Sequence, residues 1–367
     1  MNPEPERVYK DLNEESCGVC KDGGELICCD SCPAAFHQSC LNIKELPAGD
    51  WHCIHCSCKF CGSYQQGSEN PATGCVFRAC PSCRTRYHIN CVEANSDEFN
   101  RESFCGKRCQ QIYERFEMLL WNRHDIGDGF SCTFLRQLHK MDPTTSKMDV
   151  ALSLMHECFK PIAFDLGGQK IDMFPRILSS HWSQFRSVDY AGFFTVLLEK
   201  GNDTICVATL RIHGHQMAEM PFIGTRARFR KQGMCRRLLN AIESALSYMN
   251  VEMLVIPSAM QVLQTWTSCF GFEKIDMTTK ELLKTKNVVK FYGVEMLQKK
   301  IQKLELPEGN LDFNQVFKNQ KKIKEEESLR ESCLVNGRTL RCRRRSSPYE
   351  LRGARERGSS SKSTPDS

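Results

Sequence analysis

The chain has 367 residues, of which 41% are hydrophobic and 9% aromatic, so it can build at least one sizeable core and is not disordered throughout. This length allows two or three domains. There is no run of about 18 apolar residues, and the polar opening lacks the charged-then-apolar pattern of a signal peptide, which argues against membrane spanning and secretion. The net charge of +6 is too small to indicate nucleic-acid binding by itself.

The 23 cysteines are unevenly distributed, since 16 of them precede residue 110 and many form C-x-x-C pairs. In a chain with no predicted route to an oxidising compartment, this pattern indicates metal ligands rather than disulfides. From Cys17 to Cys109, short loops contain too few periodic apolar residues for an ordinary core. We therefore expect bound metal to supply the framework of this region.

A first group of candidate ligands consists of four C-x-x-C or H-x-x-C pairs: Cys17, Cys20, Cys29, Cys32, His37, Cys40, Cys53 and Cys56. A second group repeats this order, with three residues between the members of its last pair: Cys58, Cys61, Cys80, Cys83, His88, Cys91, Cys105 and Cys109. Each group has the eight ligands that two tetrahedral Zn²⁺ ions require, so four structural zinc ions with no open position for catalysis are predicted.

Two cysteines of this region are left over. Cys28 could replace Cys29 as a ligand, but the spacing favours Cys29, and Cys28 is more simply a small core residue. Cys75 could exchange with Cys80 or act as an extra ligand.

The next segment, QQIYERFEMLLWNRHDIG, predicts a connecting helix that ends near Gly127. Residues 146–300 then have the composition of a globular domain with alternating helical and strand patterns. The helix SKMDVALSLMHECF precedes the hairpin GFFTVLLEK and TICVATLRI, the strand AEMPFIG, the helix RRLLNAIESALSYM, the strand VEMLVIP and the helix SAMQVLQTWTSCF. The predicted order is α, β, β, β, α, β, α.

The segment after residue 300 is charged and Ser-rich, and we expect it to be disordered. Its arginine run, Arg341 to Arg345, is either a nuclear localisation signal or a solvated part of the tail.

Within the globular domain, the segment from Arg230 to Cys235 fits the pattern Q/R-x-x-G-x-G/A between a strand and a helix. Such a turn presents successive backbone amides at a helix amino terminus, where oriented dipoles hold a pyrophosphate. Gly233 allows close approach of a ligand. Cys235 stands where Gly or Ala is usual, and its small side chain predicts only modest crowding.

The first ligand group resembles a PHD finger, because histidine is the fifth ligand and Trp51 lies two residues before the seventh. A RING finger has histidine fourth. This resemblance implies interleaved sites, with Cys17, Cys20, His37 and Cys40 on one ion and Cys29, Cys32, Cys53 and Cys56 on the other. The second group resembles a further, atypical PHD finger.

The DGGEL segment of the first finger is similar to that of PHD fingers that read the unmodified tail of histone H3. This resemblance implies histone-binding roles for Asp22, Glu25, Leu26 and Asp30. Carboxylates pair an unmethylated ammonium, whereas a trimethyl-lysine needs an aromatic cage, and Leu26 stands where a cage wall is common. The alternative is that the three acids are ordinary loop residues.

The order of elements around Gly233 resembles the GNAT acetyltransferase superfamily, and the spacing of Glu219 from Gly233 matches its histone-acetylating branch. The resemblance implies that Glu219 is the general base, acting directly or through a water. The alternative is a salt-bridged strand residue. The resemblance also implies that acetyl-CoA contacts Ile223, Thr225, Arg230, Lys231, Gly233, Cys235 and Arg236.

One departure from the superfamily pattern concerns the general acid. Trp266 stands where many members have a tyrosine that protonates the departing thiolate. Tyr292 could reach the site, but Phe291 and Tyr292 are more simply a strand pair in the core. His213 and His215 are expected to be turn residues rather than catalytic ones.

From Cys17 to Leu297 the chain resembles plant nuclear proteins of the Increased DNA Methylation type. The implied fold class is α+β: a PHD-type finger (14–57), a second, atypical PHD-like finger (58–112), a helical linker (113–145), a GNAT domain with a splayed mixed sheet (146–300) and a disordered basic tail (301–367). Members carry further sequence upstream, so the chain is either a shortened member or an incomplete one.

The implied function is that of a nuclear histone acetyltransferase that reads the unmodified H3 tail, acetylates a histone lysine from acetyl-CoA, and regulates transcription or DNA methylation state. The implied partners are the H3 tail, nucleosomes and chromatin or transcription cofactors, without a membrane; direct contact with DNA is left open. The alternative is an inactive GNAT-fold reader or adaptor, which Trp266 keeps open. The histidine order and Trp51 argue against a ubiquitin ligase.

Overall fold

The computed structural model of the chain describes residues 13–46, 48–64, 77–92, 100, 102–136, 145–160, 163–166, 169–303 and 317. Cys75, the arginine run and nearly all of the predicted tail lie outside these residues. Within the described part, no helix is both long enough and apolar enough to cross a bilayer.

Each of the two cysteine-rich regions folds around one short antiparallel hairpin. In the first, β1 (Ile27–Cys28) pairs with β2 (Ala35–Phe36). In the second, β3 (Phe77–Ala79) pairs with β4 (Arg86–His88). Strands of two or three residues are not stable alone, so the ligand clusters must hold them, as the composition of this region predicts.

Helix α1 (Lys107–Leu119) is shared between the second finger and the larger domain. Cys109 in its first turn is buried in the apolar cluster of the second finger. Ile112 and Phe116, three and seven residues after Cys109 on the same helix face, are buried in the main core of the larger domain. The second finger is therefore fastened to the larger domain by a continuous helix.

The larger domain is built on one mixed sheet. Its strands are β5 (Arg123–Gly127), β6 (Phe130–Leu135), β9 (Phe193–Lys200), β10 (Asp203–Ile212), β11 (Ala218–Thr225), β12 (Met253–Ala259), β13 (Glu273–Lys274) and β14 (Val294–Lys300). Their order across the sheet is β13-β14-β12-β11-β10-β9-β6-β5. β11 and β12 are parallel, and the other neighbours are antiparallel. A separate hairpin consists of β7 (Ala163–Leu166) and β8 (Gln169–Asp172).

Helices cover both faces of this sheet. Besides α1, they are α2 (Thr145–Cys158), α3 (Met173–Leu178), α4 (Met234–Tyr248), α5 (Leu263–Phe270) and α6 (Met277–Lys284). Along β9, Phe194 and Val196 pack with α1 and α4 in one core cluster, whereas Phe193 and Leu197 pack with α2 and α3 in another. This alternation is the period of a strand that is buried on both sides. The predicted α+β class with a splayed mixed sheet is confirmed.

Two predicted domain boundaries are wrong. Residues 113–145 do not form a helical linker, because α1 ends at Leu119 and the hairpin of β5 and β6 forms an edge of the large sheet. The cause is a period of two in RHDIG, where His124 and Ile126 are buried and their neighbours are not. The tail begins later than residue 301, since Ile301 and Phe317 are buried in the main core.

Smaller differences occur elsewhere in the larger domain. The last predicted helix begins at Leu263 rather than Ser258, because β12 continues to Ala259. The elements α3, α6, β7, β8, β13 and β14 were not predicted. Phe291 and Tyr292 do not form a core strand pair: β14 begins at Val294, and Tyr292 is exposed.

Candidate active site and zinc centres

Glu219 lies where two neighbouring parallel strands of the sheet separate. Within the described residues, the register of β11 with β12 covers only Ala218 opposite Leu254 and Glu219 opposite Val255. On its other side β11 remains paired with β10 as far as Thr225. The residues of β11 after Glu219 therefore border a gap in the sheet.

The Glu219 carboxylate is buried, with 2% of the residue exposed, and three donors contact it. Arg211 Nε donates to Oε1 at 2.6 Å, and His213 Nε2 lies 2.8 Å from the same oxygen. The backbone amide of Val289 donates to Oε2 at 2.8 Å. The salt bridge considered as an alternative is therefore present, between two side chains that are almost completely buried.

These contacts determine the ionisation of the group. Burial alone would raise the pKa of Glu219, but Arg211, His213 and the Val289 amide stabilise the carboxylate and lower its pKa overall. Burial lowers the pKa of His213, although its hydrogen bond to the Glu219 carboxylate acts in the opposite direction. At neutral pH Glu219 is therefore an anion and His213 is neutral, so His213 donates from Nε2 to the carboxylate.

Arg211 and His213 are the site residues that the sequence analysis missed. The prediction that His213 is only a turn residue is wrong for its side chain: its backbone amide closes the turn onto the Met217 carbonyl, while its ring contacts Glu219. The available signal was an arginine inside the apolar strand TICVATLRI, since a buried arginine needs an anionic partner. His215 is half-buried, and its carbonyl accepts from the Glu252 amide, as expected for a turn residue.

The turn before α4 has the geometry that its motif predicts. Lys231 and Gly233 both have left-handed backbones, with φ of 62° and 80°. Lys231, Gly233 and Arg236 are exposed, and Gly233 is the residue that precedes the helix. The amide of Cys235 follows within the first turn, where the amino-terminal N–H groups of a helix have no intrahelical acceptor. These amides can bind a phosphate group.

The side chains around this turn already have partners. Arg230 Nε donates to the Thr225 carbonyl at 3.0 Å, and the Arg236 guanidinium donates to the Cys269 carbonyl at 2.8 Å. Burial raises the pKa of the Cys235 thiol to about 11, so this residue is a thiol and not a nucleophilic thiolate. Ile223 is half-buried on β11, opposite Ala208.

The two aromatic candidates for a general acid lie in different surroundings. Trp266 is half-buried on α5, where its ring packs edge-on against Phe272 with centroids 5.3 Å apart. The Tyr292 hydroxyl donates to the Lys21 carbonyl of the first finger at 2.7 Å. Neither the Trp266 ring contact nor the Tyr292 hydroxyl contact involves Glu219.

The sixteen candidate zinc ligands come together as four groups of four. The groups are Cys17, Cys20, His37 and Cys40; Cys29, Cys32, Cys53 and Cys56; Cys58, Cys61, His88 and Cys91; and Cys80, Cys83, Cys105 and Cys109. In each group the ligand atoms lie within 4.8 Å of one another, as tetrahedral Zn–S and Zn–N bonds require. The first two groups are the interleaved sets that the PHD resemblance implies. The clusters fit zinc.

Cys28 is outside these groups. It is exposed on β1 rather than in a core, so the simple core interpretation is wrong, and the buried Cys29 is the one that joins a ligand group.

The four candidate histone-binding residues of the first finger differ in their surroundings. Asp22 and Glu25 are exposed, and Leu26 is half-buried. The Asp30 carboxylate accepts the backbone amide of Trp51 at 2.6 Å, which ties together two loops of the finger. Asp30 thus has a structural contact in addition to any contact with a ligand.

Comparison with known proteins identifies the two parts of the chain. Residues 17–56 match the model of the PHD-finger family, and residues 159–300 match that of the Increased DNA methylation 1 C-terminal domain. The chain contains both of these domains. It is 38% identical over 304 residues to Increased DNA methylation 1 of Arabidopsis thaliana, which covers 79% of this chain and 25% of that protein.

Other similarities cover smaller parts of this chain. The chain is 49% identical over 61 residues to human Autoimmune regulator, which covers 16% of this chain and 11% of that protein. The chain thus spans a quarter or less of the length of these relatives. Among solved structures, Tetrahymena GCN5 is similar at 17% identity with a TM-score of 0.33, covering 44% of this chain and 93% of that one.

Proposed function

We propose that the protein is a nuclear, chromatin-associated histone acetyltransferase, whose PHD finger reads the unmodified H3 tail and whose C-terminal domain acetylates a histone lysine. We further propose that its activity regulates transcription or DNA methylation state. The observation that carries the proposal is the ionised Glu219 carboxylate, held by three donors at the point where β11 separates from β12.

The proposed reaction is direct acetyl transfer from acetyl-CoA. A lysine ammonium has no lone pair, so it must lose a proton before its nitrogen attacks the thioester carbon. Glu219 accepts this proton directly or through a water. The new N–C bond then forms and the C–S bond breaks, so that the coenzyme A thiolate leaves and takes up the second proton, which the acylated nitrogen releases. Arg211 and His213 hold oxygen Oε1 of the carboxylate throughout.

Binding of acetyl-CoA is assigned to the gap beside β11 and to the turn before α4. Backbone groups of Ile223 and Thr225 border the gap. The exposed left-handed turn at Lys231 and Gly233 leads into the free amides of α4, which suit the pyrophosphate. Arg230 supports this turn through its bond to the Thr225 carbonyl.

Recognition of the H3 tail is assigned to the exposed acids of the first finger. Asp22 and Glu25 can pair unmethylated ammonium or guanidinium groups, and Leu26 offers no aromatic cage for a trimethyl-lysine. Zinc at the four ligand groups has a structural role here.

Mass spectrometry of recombinant nucleosomes incubated with the protein and acetyl-CoA tests this function and reports the acetylated lysine. We expect acetylation of H3 by the wild type and at least about a hundredfold less by Glu219→Gln, given the usual contribution of a general base. Glu199→Gln is the matched control, because Glu199 is also a buried strand carboxylate with a salt bridge, to Lys147. Equal rates for the two variants would contradict the role of Glu219.

A second function is favoured by two observations: both oxygens of Glu219 already accept hydrogen bonds, and Trp266 stands where the superfamily usually has a tyrosine. On this basis the protein would be an inactive GNAT-fold reader or adaptor. The same nucleosome experiment separates the two functions, since a reader binds the unmodified tail without any turnover.

A further inference from the structure

The segment Asn287–Tyr292, which connects α6 to β14, lies between Glu219 and the first finger, and we call it the strap. Two of its backbone groups hold the Glu219 site. The Val289 amide donates to Glu219 Oε2 at 2.8 Å, and the Asn287 carbonyl accepts from the Arg211 guanidinium. The strap therefore contributes to both members of the buried ion pair.

The same segment is fastened to the first finger by its side chains. Lys290 Nζ donates to the Val19 carbonyl, and the Tyr292 hydroxyl donates to the Lys21 carbonyl at 2.7 Å. Val19 and Lys21 flank a zinc-ligand cysteine, and Lys21 directly precedes the DGGEL segment. The finger loop that borders the proposed tail-binding site is thus hydrogen-bonded to the strap.

Successive side chains of the strap point in opposite directions, which explains how it contacts both the larger domain and the finger. Val289 and Phe291 pack against a core cluster of the larger domain, and the Phe291 ring meets Phe222 edge-on with centroids 5.5 Å apart. Lys290 and Tyr292 point the other way, to the finger. The apolar side anchors the strap, and the polar side ties it to the finger.

A further contact holds the finger at this place. Glu14 Oε1 accepts both the backbone amide and the hydroxyl of Ser187, each at 2.8 Å. Ser187 lies in the segment that precedes β9, so the finger contacts two separate segments of the larger domain.

We propose that the first finger positions the Glu219 carboxylate through the strap, with Lys290 and Tyr292 as positioning residues. This inference rests on the proposed function. If the finger only raised the local concentration of the tail, its effect would appear in the apparent affinity for the acceptor. A finger that holds the strap must instead affect the rate at saturating acceptor, even with an acceptor that it cannot bind. Without the strap, Glu219 Oε2 loses its amide donor and the carboxylate can rotate.

Kinetics with two acceptors test this inference: the intact H3 tail peptide, and the same peptide without the amino-terminal residues that a PHD finger contacts. The variants are Lys290→Met and Tyr292→Phe, alone and combined, since each removes a donor with little change in side-chain volume. The matched controls are Lys280→Met, at an exposed helix position, and Tyr113→Phe, whose ring contact with Phe104 is kept.

We expect the double variant to lose about tenfold in kcat with both acceptors, because each net hydrogen bond contributes a few-fold. The KM for acetyl-CoA, the zinc content and the calorimetric affinity for the unmodified tail remain as in the wild type, and the controls behave as the wild type. An effect confined to the KM of the intact tail would overturn the inference.

Hydrogen–deuterium exchange provides a measurement that does not depend on turnover. In the double variant, the peptide that spans the strap should exchange at least about fivefold faster at the Val289 amide, while β9 and β10 exchange as before. Unchanged exchange in the strap would overturn the inference, even if no acetyl transfer is found. If the wild type shows no turnover but the double variant exchanges faster, the proposed function is wrong and the coupling between the finger and the strap is supported.

Discussion

Replacement of Glu219 by glutamine should destabilise the larger domain as well as abolish acetyl transfer. The side chain of Arg211 is 2% exposed and that of Glu219 is 3% exposed, so the variant leaves a buried guanidinium without its anion. Loss of one partner of a buried ion pair costs about 3–5 kcal/mol. A glutamine oxygen at the Oε1 position can still accept from Arg211 and His213, but its amide nitrogen then faces the Val289 amide, which is also a donor and adds to the penalty.

The control variant Glu199→Gln provides the reference for this loss of stability. In the pair of Glu199 with Lys147, the lysine side chain is 40% exposed and becomes solvated when its partner is neutralised. We therefore expect Glu199→Gln to cost about 1 kcal/mol. Urea unfolding at neutral pH in the presence of zinc measures both costs. A cost for Glu219→Gln no greater than that for Glu199→Gln would refute the reasoning.

The difference in unfolding free energy between the wild type and Glu219→Gln depends on pH in a way that follows from the direction of the Glu219 pKa shift. The pKa of Glu219 is lower in the folded state, so its contribution to stability is fully present above the unfolded carboxyl pKa of about 4.3 and is lost as the pH falls through the folded value. The wild type should therefore exceed the variant by the same free energy from about pH 6 to 8. A difference that disappears within this range would show that Glu219 is not ionised there.

The remaining predictions concern the fingers. Cys109→Ser should remove one zinc ion per chain and lower the melting temperature of the whole larger domain, because α1 is shared; loss of the second finger alone, seen by calorimetry, would contradict this. Gly214→Ala should lower the free energy of unfolding in urea by about 1–3 kcal/mol more than Gly201→Ala does. Both glycines have positive φ, but only at Gly214 would a Cβ meet a zinc-ligand cysteine, at 3.1 Å. Glu25→Ala should weaken calorimetric binding of the unmodified H3 tail about five- to tenfold, whereas Glu45→Ala should not; tighter binding of a trimethylated tail would contradict this assignment.

The elements that the sequence predicted correctly are those with a strong local period. The apolar runs of β9 and β10, and the amphipathic pattern of α4 after Gly233, define their own type and approximate ends. The metal ligands were predictable for a different reason, because short spacings between paired ligands restrict which residues can share one ion.

The parts that were missed depend on contacts between distant segments. β13 has only two residues and exists because it pairs with β14, so no local pattern indicates it. Arg211 and His213 reach Glu219 through the register of β10 with β11, which includes an irregularity between Thr209 and Arg211. A shift of one residue would point these side chains to the other face, and spacing along the chain does not fix that register.

A crystal structure of the protein with coenzyme A tests the central claim most directly. We expect the sulfur atom to lie in the gap between β11 and β12 near the Glu219 carboxylate, with the pyrophosphate on the amides that follow Gly233. Coenzyme A bound elsewhere, or no binding at millimolar concentration, would contradict the claim that this domain is an acetyltransferase.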